Sequence, residues 1–193
     1  MFTAIGVVRV DVFPLGHIGV GYLFLSFVER GWRHHPPQGV ALPWLIAGTL
    51  LPDLIDKPLA WAGGLLPSGR SLAHSLLFAI PLIVVISGWL WQHRKSAEGI
   101  GFSVGYGSHL LTDVVLPLGT PFDRMRFLLW PLYPAPVYES EIPTTLELTE
   151  SLLLEVPLGF FIVGLWVVDG RPGSKAVHRL GSQVKDWVRS RLG

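Results

Sequence analysis

The 193-residue chain is long enough for one domain, and it carries unusually little charge. Half of its residues are hydrophobic and only 15% are charged, whereas a soluble domain typically carries about 25% charged residues. A net charge of +1 gives no basic field for nucleic acid, and the absence of cysteine excludes disulfides and thiolate metal sites. The composition therefore favours a membrane protein.

Apolar segments recur along the chain at lengths near the roughly 20 residues that span a bilayer as a helix. They predict an all-α, polytopic bundle of about five membrane helices. Pro43 and Pro52 predict kinks or irregular backbone near the ends of the second segment. Gly101, Gly105 and Gly107 predict close helix packing along the fourth segment. The predicted helices cover residues 16–28, 40–55, 72–91, 100–118 and 151–168.

The end of the chain is basic, and its apolar residues recur at helical spacing from Val177 to Leu192. This pattern is typical of an amphipathic helix on an anionic membrane surface, with packing against the bundle as the alternative. The excess of basic residues predicts a cytoplasmic tail on a protein of the plasma (inner) membrane. We therefore expect a membrane-embedded bundle with a metal site over residues 1–170 and a basic amphipathic tail over residues 171–193.

Six ionisable residues lie near segment ends that an up-and-down bundle brings to one membrane face. Such groups are costly in lipid and by default face a polar cavity, and imidazole and carboxylate are ligands for zinc and similar ions. We expect no second set of carboxylates on the opposite, basic side, which favours an enzyme over a transporter. The six candidate metal ligands are His17, Asp53, Asp56, His74, His109 and Asp113.

Local spacing supports two pairs among these residues. His109 and Asp113 are four residues apart and share one helix face, although a structural pair is the alternative. Asp53 and Asp56 are three residues apart, and their charges repel unless a cation neutralises them. The alternative for this second pair is that Asp53 caps the next segment while Asp56 pairs with a nearby basic side chain, Lys57 or Arg70. His17 has the alternative of a buried, hydrogen-bonded histidine.

Arg70, His74 and Ser75 lie where the third predicted helix begins. A helix N-terminus offers unpaired N–H groups that suit an anion, and an arginine adds a bidentate donor for phosphate. We therefore expect Arg70 and Ser75 to contact the substrate and His74 to bind the metal. The loop at 119–150, rich in proline and aromatic residues, lies on the same face and is expected to cover the site. Spacing does not select among Glu147, Glu150 and Glu155 as further ligands.

The candidate residues occur in four motifs, which are His17, LPDLID at 51–56, GRSLAHS at 69–75 and GSHLLTD at 107–113, followed by Thr-Pro-Phe and Trp-Pro-Leu. This order resembles the YdjM-like family of membrane-bound metal-dependent hydrolases. The resemblance implies a metal site at Asp53, Asp56, His74, His109 and Asp113, with His17 as the N-terminal histidine. A more distant similarity to zinc-dependent phospholipase C implies two or three metals and phosphoester hydrolysis.

The sequence thus predicts a membrane-bound metal-dependent hydrolase acting on a phosphoester or lipid-like substrate through a metal-activated water. Zinc is the expected metal and manganese the alternative, with Asp53, Asp56 and Asp113 as catalytic carboxylates. The expected partners are membrane lipids, without nucleic acid, and the oligomeric state is not specified. The alternative function is a non-enzymatic membrane protein, either a metal transporter or a scaffold with a structural metal.

Overall fold

The computed structural model is all-helical over the residues it describes, which are 14–115, 122–135, 145–175, 182–183 and 187–191. A π-helical stretch, Glu29–Arg33, follows the first helix, and a 3₁₀ helix, Phe122–Leu129, precedes the last. The expected all-α class is therefore confirmed for these residues. The α-helices are α1 (Pro14–Val28), α2 (Ala41–Trp61), α3 (Leu76–Gln92), α4 (Ser96–Val115) and α5 (Thr145–Val168).

The prediction of about five membrane-spanning helices is not confirmed. Within the described parts of the chain, none of the helices combines the length and the apolar character that crossing a membrane requires.

Helix α4 packs against α1, α2 and α3 and approaches α2 most closely. Gly48 on α2 and Gly101 and Gly105 on α4 make this approach possible, because a Cβ on any of them would overlap backbone atoms of the facing helix. The predicted close packing through Gly101 and Gly105 is therefore confirmed. Gly107 differs, since a Cβ there would meet no atom within 4 Å.

Helix directions alternate along the chain. Helix α4 runs parallel to α2 and antiparallel to α1 and α3, so the starts of α1 and α3 meet the ends of α2 and α4. We call this the site end of the bundle, and the opposite end, where Arg30 lies, the basic end. The neighbouring pairs that establish these directions are Gly101 with Ala41, Gly105 with Leu45, Ser87 with Ser103, His74 with His109, and His17 with Asp113.

Several helix boundaries differ from those predicted. Helix α4 begins at Ser96 and not at residue 100, and α5 begins at Thr145 and not at residue 151, inside the predicted loop at 119–150. Helix α2 continues past Pro52 and Pro58 to Trp61, so both of its aspartates lie on the helix. Helix α3 begins at Leu76, because Ser75 has extended backbone and its hydroxyl accepts a hydrogen bond from the N–H of Leu77 at 3.2 Å. His74 therefore lies in the loop before α3, and the predicted helix start at residue 72 is wrong.

Some predictions fall outside the described residues. Most residues of the predicted apolar stripe in the tail lie outside them, although residues 187–191 are helical. The stretches 116–121 and 136–144 of the chain and the side chains of Glu147 and Glu150 also lie outside. The division at residue 170 and the amphipathic tail remain predictions.

Candidate metal centre

Two imidazoles face each other at the centre of the site end. The Nε2 atoms of His74 and His109 are 3.1 Å apart, and Asp113 Oδ2 lies 3.3 Å from the first and 3.6 Å from the second. Asp53 Oδ1 lies 3.6 Å from His74 Nε2 and 3.9 Å from His109 Nε2. A tetrahedral zinc ion with bonds of 2.0–2.2 Å separates its ligand atoms by about 3.3–3.6 Å. The observed separations are close to that spacing.

His17 extends the cluster from the start of α1. Its ring stacks on that of His109 with centroids 4.3 Å apart, and its Nε2 lies 3.7 Å from Asp113 Oδ1. Two triads of ligand atoms result, each with all members within 4.8 Å of one another: His17, His109 and Asp113 in one, Asp53, His74 and His109 in the other. Because the triads share His109, the donor set fits one cation or two adjacent cations.

The carboxylates around His74 favour a positive charge on its ring. The three imidazoles are buried, with 3%, 0% and 1% of their surface exposed for His17, His74 and His109. Burial lowers the pKa of His74, which lies outside the helices, but the carboxylates of Asp113, Asp53 and Asp56 raise that pKa to about 10. These three carboxylates thus outweigh the effect of burial on His74.

Asp56 lies behind His74 and belongs to neither triad. Its Oδ2 lies 2.8 Å from His74 Nδ1 and accepts the N–H of Ser71 at 2.8 Å, while its Oδ1 accepts the N–H of Ala73 at 2.8 Å. This contact fixes the His74 ring with Nε2 toward the other ligand atoms. The described geometry therefore gives Asp56 the role of orienting the His74 ring.

The backbone N–H groups before α3, expected to bind a substrate anion, are occupied from within the protein. Asp56 is the anion that they hold. The Ser75 hydroxyl donates to the carbonyl of Trp130 at 2.5 Å and caps α3. Ser75 is thus bonded to backbone on both sides, and its predicted substrate contact has no support in this geometry.

Two basic side chains bind the carboxylates that carry ligand atoms. Arg70 donates from Nε and Nη2 to the two oxygens of Asp113, each at 3.1 Å, and Lys57 donates to Asp53 Oδ2 at 2.6 Å. Asp53 and Asp113, and not Asp56, accept these hydrogen bonds. The sequence predicts Lys57 only as an alternative partner of Asp56, although its position four residues after Asp53 on a helix also indicates the observed pair.

The 3₁₀ helix and the residues after it contact the loop that carries His74, as expected for a covering segment. Phe127 is 2% exposed and meets the ring of His74 edge-on, with centroids 6.0 Å apart. From the bundle side, the Tyr106 hydroxyl donates to the carbonyl of Ala73 at 2.6 Å. The loop that carries His74 is therefore held between α4 and the segment at 122–135.

A second set of buried carboxylates lies at the basic end, so the prediction that this side has none is wrong. Asp169 accepts hydrogen bonds from Tyr22 at 2.7 Å, Ser26 at 2.8 Å and Arg30 Nε at 2.9 Å. Glu29 is fully buried in the adjoining π-helical stretch. These contacts join α1 to the residue that follows α5.

Comparison with known proteins gives one family. The sequence model of the YdjM inner membrane protein family matches residues 13–177. The curated proteins named inner membrane protein YdjM from Escherichia coli (strain K12) and from Shigella flexneri are each 28% identical over 178 residues, covering 81% of this chain and 77% of the relative. No solved structure matches the chain significantly. Because the family match extends over most of its length, the chain belongs to the YdjM inner membrane protein family.

Proposed function

We propose that this protein is a membrane-bound metal-dependent hydrolase. One observation supports this proposal best. The Nε2 atoms of two buried imidazoles and one carboxylate oxygen each of Asp53 and Asp113 lie together, with nitrogen–nitrogen and nitrogen–oxygen distances of 3.1–3.9 Å. Perturbed ionisable groups gathered in this way are typical of functional sites. Zinc is the metal that this nitrogen and oxygen donor set fits best, with manganese as the alternative.

Each side chain has a role in this proposal. His17, Asp53, His74, His109 and Asp113 provide the ligand atoms, and Asp56 positions the ring of His74. A zinc-like cation held by these side chains would lower the pKa of a water and so supply the nucleophile. Asp53 is more exposed than Asp113, with 15% against 3% of its side chain accessible. Asp53 is therefore the ligand carboxylate nearest to the solvent.

A location in the inner membrane agrees with the names of the relatives and with the apolar surface of two helices. Side chains with 64–77% of their surface exposed include Val84 and Val85 on α3, and Leu153, Phe160 and Val168 on α5. Exposed apolar side chains on this scale mark a surface made for lipid or another apolar partner. We place the basic tail in the cytoplasm, which a reporter fused after Gly193 tests directly.

Hydrolysis of a phosphoester by purified protein tests the proposal. Wild-type protein supplied with zinc or manganese should cleave bis(nitrophenyl) phosphate or a short-chain phospholipid. Asp113→Asn should lose most of this activity while the bundle remains folded, because the amide keeps the size of the carboxylate and loses its charge. Full activity in an Asp53→Asn, Asp113→Asn double variant would contradict the assignment.

A metal transporter is a second candidate, because buried carboxylates occur at both ends of the bundle. Transport predicts zinc uptake into proteoliposomes by wild-type protein and its loss in Asp169→Asn. A hydrolase predicts that the same variant retains its activity.

A further inference from the structure

A groove at the basic end lies between the start of α2 and the residues that follow α5. Its volume of 690 Å³ falls within the range of about 300–1,000 Å³ that is usual for small-molecule pockets. No candidate metal ligand is among its described lining residues, so it is separate from the site end. Its apolar and charged lining side chains are those of Val40, Pro43, Trp44, Glu98, Arg171 and Lys175.

The residues after α5 form a well-anchored wall of this groove. Trp166 Nε1 donates to the carbonyl of Pro172 at 3.0 Å, and the N–H of Arg171 donates to the carbonyl of Trp166 at 2.9 Å. A Cβ on Gly39 would lie 2.6 Å from the backbone nitrogen of Gly173, so the two chain segments touch there. Arg171 has a φ of 58°, a left-handed conformation that is uncommon outside glycine. The backbone that carries Arg171 is thus fixed by its neighbours.

Arg171 and Lys175 are the two basic side chains that line the groove, and both are exposed. Within the described part of the chain, neither side chain has a hydrogen bond or an ion pair. Arg30 at the same end differs, because Asp169 accepts its hydrogen bonds. Glu98 is the one carboxylate among the described lining residues, so two basic groups against one acidic group give the groove a formal charge of +1. That charge complements an anion with a single negative charge.

An apolar wall adjoins the two cations. The Trp44 ring meets that of Phe102 edge-on, with centroids 6.4 Å apart, and Val40 is 53% exposed. Tryptophan is typical of the membrane–water interface, because its ring combines an apolar body with a polar N–H. A phospholipid has the matching combination, an anionic phosphate next to apolar carbons, whereas a soluble anion would use the charged part of the groove alone.

We infer that this groove binds the headgroup of an anionic phospholipid with one negative charge, such as phosphatidylglycerol. Its phosphate contacts Arg171 and Lys175, and its glycerol and first acyl carbons lie against Val40 and Trp44. The inner membrane family to which the chain belongs agrees with such a ligand. The inference does not depend on the metal centre, which lies at the other end of the bundle. A lipid bound here holds the basic end at the membrane surface.

Native mass spectrometry of the full-length protein in detergent tests the inference. Titration with short-chain phosphatidylglycerol should give tighter binding than phosphatidylethanolamine of the same chain length, which has no net charge. Arg171→Met and Lys175→Met should each weaken the binding of phosphatidylglycerol about 5-fold, since a basic residue near an anionic lipid surface contributes about 1 kcal/mol. Glu98→Gln should strengthen this binding by a similar factor, because it removes the repelling carboxylate.

Arg94→Met and Lys95→Met are the matched controls, because each removes one charge at the same end from a residue that does not line the groove. Both controls should bind phosphatidylglycerol as tightly as wild type. Equal weakening in the controls and in the groove variants would show a diffuse surface charge and overturn the inference. Unchanged affinity in both groove variants, or no preference of wild type for phosphatidylglycerol, would overturn it too.

Two other occupants of the groove are tested in the same preparation. Inorganic phosphate that binds more tightly than the lipid would identify a soluble anion and contradict the inference. Because the chain has no cysteine, the pair Val40→Cys and Leu180→Cys reports on the tail. Complete disulfide formation by this pair would show that the tail fills the groove, which would also contradict the inference.

Discussion

At the scale of single residues, two aspartates that look alike in the sequence have different surroundings. Asp53 and Asp56 are three residues apart on α2, which corresponds to a rotation of about 300°. Asp53 faces the imidazole nitrogens, whereas Asp56 faces the loop at 71–74. Spacing predicts that both lie near the site, but it does not show which of them faces the other candidate ligand atoms. That distinction depends on the path of a loop 15 to 18 residues away.

Asp56→Asn should weaken metal binding about 10- to 100-fold, the usual effect of losing a partner that orients a ligand. The variant should still reach the wild-type metal content at saturation, with an unchanged coordination shell in X-ray absorption spectra. Asp53→Asn is the matched variant, and it should alter the shell itself. Loss of one oxygen ligand in Asp56→Asn would show that Asp56 binds the metal directly.

Asp169 supports the basic end in a pH-dependent way. Burial raises the pKa of its carboxyl, but hydrogen bonds from Tyr22, Arg30 and Ser26 outweigh burial and hold the pKa below its ordinary value. A lowered pKa in the folded state stabilises the protein above the ordinary pKa of about 3.9, and this contribution disappears as the pH falls through the folded-state pKa. Asp169→Asn should therefore be less stable than wild type at pH 7, with the difference shrinking below about pH 4. Thermal unfolding between pH 3 and pH 7 measures it, and a pH-independent difference would contradict this explanation.

At the scale of helices, the glycine spacing predicted the packing of α4 against α2, whereas the membrane-spanning helices that hydropathy predicted are not confirmed. Gly101 and Gly105 are four residues apart and bring α4 against α2 as expected. The start of α3 was not predictable from its own residues, because Leu72 and Ala73 suit a helix. The contacts of Asp56 with the backbone of Ser71, Ala73 and His74 hold this stretch in a loop instead.

Gly105→Ala and Gly107→Ala should change stability in opposite directions. A Cβ at Gly105 would overlap the backbone of α2, so the helices must separate, at a cost of about 1–3 kcal/mol. A Cβ at Gly107 would meet nothing within 4 Å, so the variant should gain about 0.5–1 kcal/mol from helix propensity. Thermal unfolding in detergent compares them, and equal effects would show that close packing of α2 and α4 is unimportant.

At the scale of the whole molecule, the alternating directions of the helices explain why the sequence could predict which residues lie together at the site end. The approximate helix order alone brings His17, His74, His109 and the aspartates of α2 to one end. The network at the basic end was not predictable in this way, because Asp169 pairs with residues 139 to 147 positions earlier in the chain. Because of this network, the Asp169→Asn variant distinguishes a transporter, which should lose zinc uptake, from a hydrolase, which should retain its activity.

The central claim is that the site end binds a divalent cation, and the metal content of detergent-purified protein tests it most directly. Elemental analysis after supplying zinc and manganese should find at least about one equivalent in wild type. His109→Ala should lose it, because His109 belongs to both triads of ligand atoms. His93→Ala, which removes an exposed histidine at the basic end, should retain it. A metal-free wild type, or a full complement of metal in His109→Ala, would contradict the account.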